Sequence, residues 1–228
     1  MMISKQKDLE NILNGMASIL TYNGQKNKGW SDVREFLQCA YGLFTGWKGK
    51  LNPPLTGTYY AGTFWPLFVD FLKECKNGSW SQMARHKSEI EKYKTQLFSS
   101  LDQLLLARAD LDMTIGIMES VTENSSPVKI AGLTPFILSG ILFASDEDNF
   151  MILDNPVLEY FGLKNYREAL SEYRNIIDAS RRYSTKFKLS MWYINKAYGI
   201  LSHQGELAVK RLCGNCRPMK SKDFVYTF

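Results

Sequence analysis

The chain has two histidines, four cysteines and no long apolar run, and each shortage closes off a class of function. Neither His86 nor His203 has partners that suggest a catalytic dyad, and no Walker loop, Rossmann fingerprint or Ser/His/Asp arrangement occurs. Cys39, Cys75, Cys213 and Cys216 do not form the framework of a small secreted protein. The N-terminus, with Lys5, Lys7, Asp8 and Glu10, is wrong for a secretion segment. Cys213 and Cys216 make one Cys-x-x-Cys pair. Zinc needs four ligands, so free thiols are expected, and no metal or other cofactor is assigned. A transmembrane helix needs about 18 or more apolar residues in a row, and no stretch approaches that. The expectation is a cytoplasmic protein with no membrane partner. Alternating strand patterns, internal repeats and low-complexity segments are also missing, which leaves helices.

At 228 residues the chain is long enough to bury a real core. Its 45% hydrophobic and 22% charged content is ordinary for a globular protein and argues against disorder. Aromatics make up 13%, with five Trp and twelve Tyr. Most such residues fill cores, but they also stack on unstacked bases. The formal charge of +5 permits a nucleic-acid partner without requiring one.

Helical periodicity opens the chain: Leu9, Ile12, Leu13, Met16, Ile19 and Leu20 fall on one face of a helix over residues 1–22. A second helix is expected after Ser31 or Asp32. Pro53-Pro54, Gly57 and Gly62 then mark an irregular stretch carrying Tyr59, Tyr60 and Trp65. Phe64 to Lys76 reads as a helix, and Ser79 to Gln82 has the form of a capping box. A long helical region follows from Trp80 to about Val121, with a break expected near Ser99-Ser100. Its Arg85, His86, Lys87, Lys92 and Lys94 are mixed with Glu89 and Glu91, the pattern of a solvated face. Beyond Pro156 lie a short helix ended by Gly162, an amphipathic helix from Tyr166 to Tyr183, and a final helix from about Lys186 to Val209. The expected organisation is one helical domain over 1–209 with a basic tail over 210–228.

The informative stretch runs from Val128 to Leu163. It reads Val128-Lys129-Ile130-Ala131-Gly132-Leu133-Thr134-Pro135, then an apolar run from Phe136 to Ala144. The acidic turn Asp146-Glu147-Asp148-Asn149 follows, then Phe150-Met151-Ile152-Leu153 and Asp154-Asn155-Pro156-Val157. A glycine-bearing hairpin feeds a buried helix, and the chain returns to set a carboxylate at the mouth of another. This stretch resembles the helix-hairpin-helix DNA glycosylase superfamily, with the motif at about 113–145. Gly132 aligns with the first hairpin glycine, Thr134 with the second, and Phe136 with the lysine of bifunctional members. The family's catalytic Asp lies about eighteen residues beyond that lysine position, and 154 − 136 = 18. The resemblance covers about 35 residues, and Thr134 and Phe136 depart from its signature. It implies an all-α, helix-hairpin-helix glycosylase-like fold that acts on DNA, double-stranded by expectation, as a monomer.

In that family the hairpin N–H groups hold a DNA phosphate, which gives Lys129, Gly132 and Thr134 a DNA-binding role. Asp154 is the expected catalytic carboxylate. It would stabilise the positive sugar that forms as an N-glycosidic bond breaks, or orient the attacking water, once the base has been flipped out. An Asp or Asn before Pro156 is also what a helix N-cap looks like, and Asn155 alone could cap. Phe136 in the lysine position disfavours lyase chemistry and points to monofunctional members. Tyr59, Tyr60 and Trp65 are candidate pocket or wedge residues. The function implied is hydrolysis of a damaged or modified base, in repair or in defence against phage. The segment also resembles helical domains of modification-dependent restriction proteins, which implies instead a non-catalytic module recognising modified DNA. A helical protein-interaction domain is the remaining alternative.

Overall fold

The computed structural model describes residues 2–21, 51, 60–66, 68–69 and 87–212. Its helices are α1 (Met2–Thr21), α2 (Lys87–Lys92), α3 (Lys94–Leu106), α4 (Leu111–Thr122), α5 (Pro135–Ser145), α6 (Asn155–Phe161), α7 (Tyr166–Ser171), α8 (Tyr173–Phe187) and α9 (Met191–Leu212). A π-helical turn covers Tyr60–Phe64 and a 3-10 turn Ala107–Ala109. No strand occurs among the described residues, as the lack of alternating patterns implies.

By contacts the chain divides into two compact units, each interrupted along the sequence. One gathers α1, the Asp154–Lys164 segment and the chain from Asn175 through α9. The other gathers the chain from the π turn through Leu153, and the Asn165–Arg174 segment. Periodicity reports which face of a helix is buried but not which partner covers it, so a chain that passes between units leaves no mark in the pattern.

In the first unit α1 packs against α9, and α6 also packs against α9. Leu9, Ile12, Leu13 and Met16 of α1 are buried at the expected spacing, with Ile194, Ala197 and Tyr198 of α9 and Ile176 and Ile177 of α8. Tyr198 donates to, or accepts from, Ser180 at 3.1 Å, so its hydroxyl enters the core with a partner. Helix α6 carries Pro156 in its first turn and ends on Gly162. That glycine takes φ +73, and its neighbour Leu163 donates back to the Leu158 carbonyl at 2.9 Å.

In the second unit α5 is buried from Pro135 to Ala144, which makes it the central helix there: an apolar helix with no polar face must be covered all round. Helices α3, α4 and α7 pack around it. The segment Phe150–Leu153 is buried without being helical, so its backbone polar groups need partners. Two are supplied by side chains. Ser139 Oγ accepts the Leu153 N–H at 2.9 Å while donating to Phe136, and Tyr173 Oη donates to the Met151 carbonyl at 2.6 Å. Burial pushes the Tyr173 hydroxyl well above its ordinary pKa, so it stays a donor.

Several boundaries differ from the expected ones. α3 runs through Ser99-Ser100 without a break, and the chain turns instead at Ala107–Asp110. There Asp110 caps α4 by accepting from Asp112 and Met113 at 3.1 Å. The helix expected over Tyr166–Tyr183 is interrupted at Glu172, and α8 then continues to Phe187. The last helix starts at Met191 rather than near Lys186 and extends through Leu212, into what was expected to be tail. The expected second helix, the capping box at Ser79 and the remainder of the tail lie outside the described residues.

Ser139→Ala would leave the buried Leu153 N–H without its acceptor. A loss of about 1–3 kcal/mol in unfolding free energy is expected, read from urea melts; an unchanged midpoint would show that the bond contributes nothing.

Candidate functional site

The hairpin belongs to the second unit and follows from three local rules. The Val121 carbonyl at the end of α4 accepts the Ile130 N–H at 3.0 Å and closes the loop. Ile130 to Leu133 then form a turn, with the Leu133 N–H donating to the Ile130 carbonyl at 3.1 Å. Gly132 takes φ +84, a conformation that side chains resist, so the glycine is required at this position. Thr134 is the N-cap of α5: its Oγ accepts the Ile137 N–H at 3.5 Å, and Pro135 follows as the first helical residue. Thr134 therefore has a capping role that a second hairpin glycine would lack, and its hydroxyl hydrogen remains available to donate. Lys129 is half-buried and donates from Nζ to the Asn124 side chain. Phe136 is buried, at 5% exposure, which suits an apolar residue and not an amine.

Asp154 belongs to the first unit. Its Oδ1 accepts the Val157 N–H at 3.0 Å, so Asp154, not Asn155, caps α6; Asn155 is the exposed first residue of the helix. A second bond comes from the side chain of Asn195, a residue of α9 that is 1% exposed. Part of the Asp154 surface still reaches solvent. Loss of water around the carboxyl nevertheless outweighs the bonds from Val157, its own backbone and Asn195, and pushes the pKa up to about 7. Asp154 thus sits between its charged and neutral forms near neutral pH. Sequence reasoning missed Asn195, because nothing in the primary structure links it to a residue 41 positions earlier. The only signal was an Asn among apolar residues in the final helix.

The aromatic candidates fall differently. Tyr59 lies outside the described residues, and so does the side chain of Tyr60, whose backbone forms part of the π turn. Trp65 is buried, at 9% exposure, against Phe68 and Phe98 at centroid distances of 6.0 and 6.1 Å, with Lys94 Nζ 4.8 Å from its ring. A wedge has to project from the surface, and Trp65 is packed instead. A glycine-rich loop leaves open whether its aromatics turn outward; here this one turns inward.

Cys39, Cys75, Cys213 and Cys216, with the His86 and His203 side chains, lie outside the described residues. Among the described residues no three His, Cys, Asp or Glu side chains gather as metal ligands, and no helix is long and apolar enough to cross a membrane. The described residues are mostly helical, with no strand among them. No protein-family model, curated protein or solved structure matches the chain.

The raised pKa has a consequence for stability. The unfolded carboxyl releases its proton near 3.8, whereas the folded one keeps it until about 7. Between those values the unfolded chain binds fewer protons, so stability falls as pH rises through that window, by on the order of a few kcal/mol. Asp154→Asn caps equally well and does not ionise. Its unfolding free energy should stay flat over the same window and exceed that of the wild type at pH 8; identical pH profiles for the two proteins would refute the desolvation.

Proposed function

We propose that the protein is a monofunctional DNA glycosylase that hydrolyses the N-glycosidic bond of a damaged or modified base flipped out of the duplex. The observation that carries this reading is Asp154. Asparagine caps a helix as well as aspartate does, and it would not bring a charge into a desolvated position. A carboxyl kept there despite that cost is suited to chemistry. With its pKa near 7 it can take a proton from an attacking water, and its ionised form can stabilise the oxocarbenium-like sugar. The Gly132 turn and the N-terminus of α5 are the proposed phosphate-binding element, with Lys129 adding charge.

The capping bond to Val157 favours a second reading as well, in which Asp154 is structural and the protein is a non-catalytic module that recognises modified DNA. Asp154→Asn separates the two. In the catalytic reading it lowers release of free base from DNA carrying candidate modified bases by roughly a hundred- to a thousandfold. DNA affinity should hold, and the melting temperature at pH 6 should be no lower than that of the wild type. Wild-type release should also rise with pH and level off above about 7, as the carboxylate forms. Undiminished release by the Asn variant would leave only the binding reading.

Two further outcomes are expected. With Phe136 in place of an amine, the product should be an intact abasic site, and borohydride should trap no covalent protein–DNA adduct; a strong adduct would expose another amine as nucleophile. For the hairpin, substitution of Gly132 is a poor probe, because φ +84 strains any side chain. Lys129→Ala is cleaner: it should weaken DNA binding irrespective of base and reduce the salt dependence by about 0.9 in slope, with no change in melting temperature. An unaltered slope would remove Lys129 from the interface.

A further inference from the structure

From Ala179 to Gly205 the sequence contains no Asp or Glu, while Arg181, Arg182, Lys186 and Lys188 crowd near its start. The fold places them together at the end of α8. Tyr173, Ile176, Ile177 and Ser180 are buried, so the opposite face, with Arg181, Arg182 and Lys186, points to water. Two acids approach this group. Asp178 lies 4.0 Å from Arg181, at the limit of an ion pair, and Glu10 accepts from Lys186 at 2.9 Å. The Lys186 ammonium holds the Glu10 carboxyl below its ordinary pKa. Beside these two pairs, Arg182 and Lys188 add exposed positive charge.

Cations in the last turn of a helix are favoured by its dipole, which alone would explain some of this. It does not explain Lys188. The chain leaves α8 through a turn in which the Leu189 N–H donates to the Ser184 carbonyl at 3.2 Å, Ser184 Oγ donates to the Leu189 carbonyl at 2.6 Å, and Leu189 is buried. The residue before Leu189 must take a left-handed conformation, and glycine normally fills that place. Here it is Lys188, at φ +54, the single non-glycine residue with positive φ among the described residues. A left-handed lysine costs stability that glycine would not, for a side chain that is exposed and beyond the helix.

We propose that Arg181, Arg182 and Lys188 form a docking surface for the phosphate backbone of DNA, with Lys186 tethered to Glu10 beside them. This rests on the DNA-binding part of the function proposed above, and assigns to this unit a contact that the Gly132 hairpin does not supply. The partner is a polyanion with closely spaced charges read without regard to sequence, which suits guanidinium and ammonium groups on one exposed helix face.

The test measures affinity for a short unmodified duplex over a salt series, with melting temperatures alongside. Arg182→Gln and Lys188→Gly should each reduce the slope of log affinity against log salt by about 0.9, and the pair by about twice that. Lys188→Gly should at the same time melt no lower than the wild type, a combination that a purely structural lysine does not produce. Lys7→Ala, an exposed lysine of α1, should leave the slope unchanged. Unchanged slopes for both patch variants alongside a salt-dependent wild type would overturn the surface while leaving DNA binding intact. So would an equal loss in Lys7→Ala, which would reduce the effect to overall charge. Absence of any wild-type affinity for the duplex at low salt, or binding to anionic lipid vesicles alone, would overturn both this surface and the DNA-binding reading.

Discussion

A carboxylate at the start of a helix normally gains from its position, since the N–H groups there attract negative charge. Asp154 has that position and accepts the Val157 N–H, yet its environment removes enough water to make the charge unfavourable near neutral pH. The two effects oppose each other, and desolvation is the larger. The rest of the proposed chemistry depends on this balance: a carboxyl of ordinary pKa would be a cap and little more, and a fully neutral one could not stabilise a cationic sugar. Asn195 of α9 adds the smallest of the opposing bonds, its side chain partly replacing lost water.

The chain leading up to Asp154 is held by burial and by two side-chain hydrogen bonds. Phe150 to Leu153 is buried, Leu153 is bonded by Ser139 and Met151 by Tyr173. In each case a side chain stands in for the regular backbone partner of a helix. Ser139 is an otherwise unexpected polar residue on a helix buried all round, and this bond is the physical reason for it.

Much of the helical framework could be read from the residues, because caps and stops are local chemistry. Thr134 before Pro135, Asp154 before Pro156 and Gly162 after Phe161 all act within one turn of where they stand. Their signals therefore sit in a few adjacent letters. The errors have the opposite character. Ser99-Ser100 suggested a break, but Leu97, Leu101, Leu104 and Leu105 give α3 a continuous buried face, and packing overrides the weaker propensity of serine. The helix expected to end at Tyr183 runs on to Phe187, and Lys188, where glycine is usual, gives no stop signal. Asn195 and Tyr173 act on residues far along the chain, and Trp65 turns inward for reasons set by Phe68 and Phe98. Whether a helix has the right face is legible from periodicity; which distant side chain completes a site is not.

The account turns on the state of one side chain, so the most direct measurement is the titration of the Asp154 carboxyl carbon by nuclear magnetic resonance, assigned by its loss in Asp154→Asn. The account predicts a midpoint of about 7, which falls if the carboxyl is brought back into water and rises if the Asn195 amide is removed. A midpoint near the ordinary aspartate value of 3.8, unaffected by Asn195→Ala, would contradict it and leave Asp154 as a helix cap.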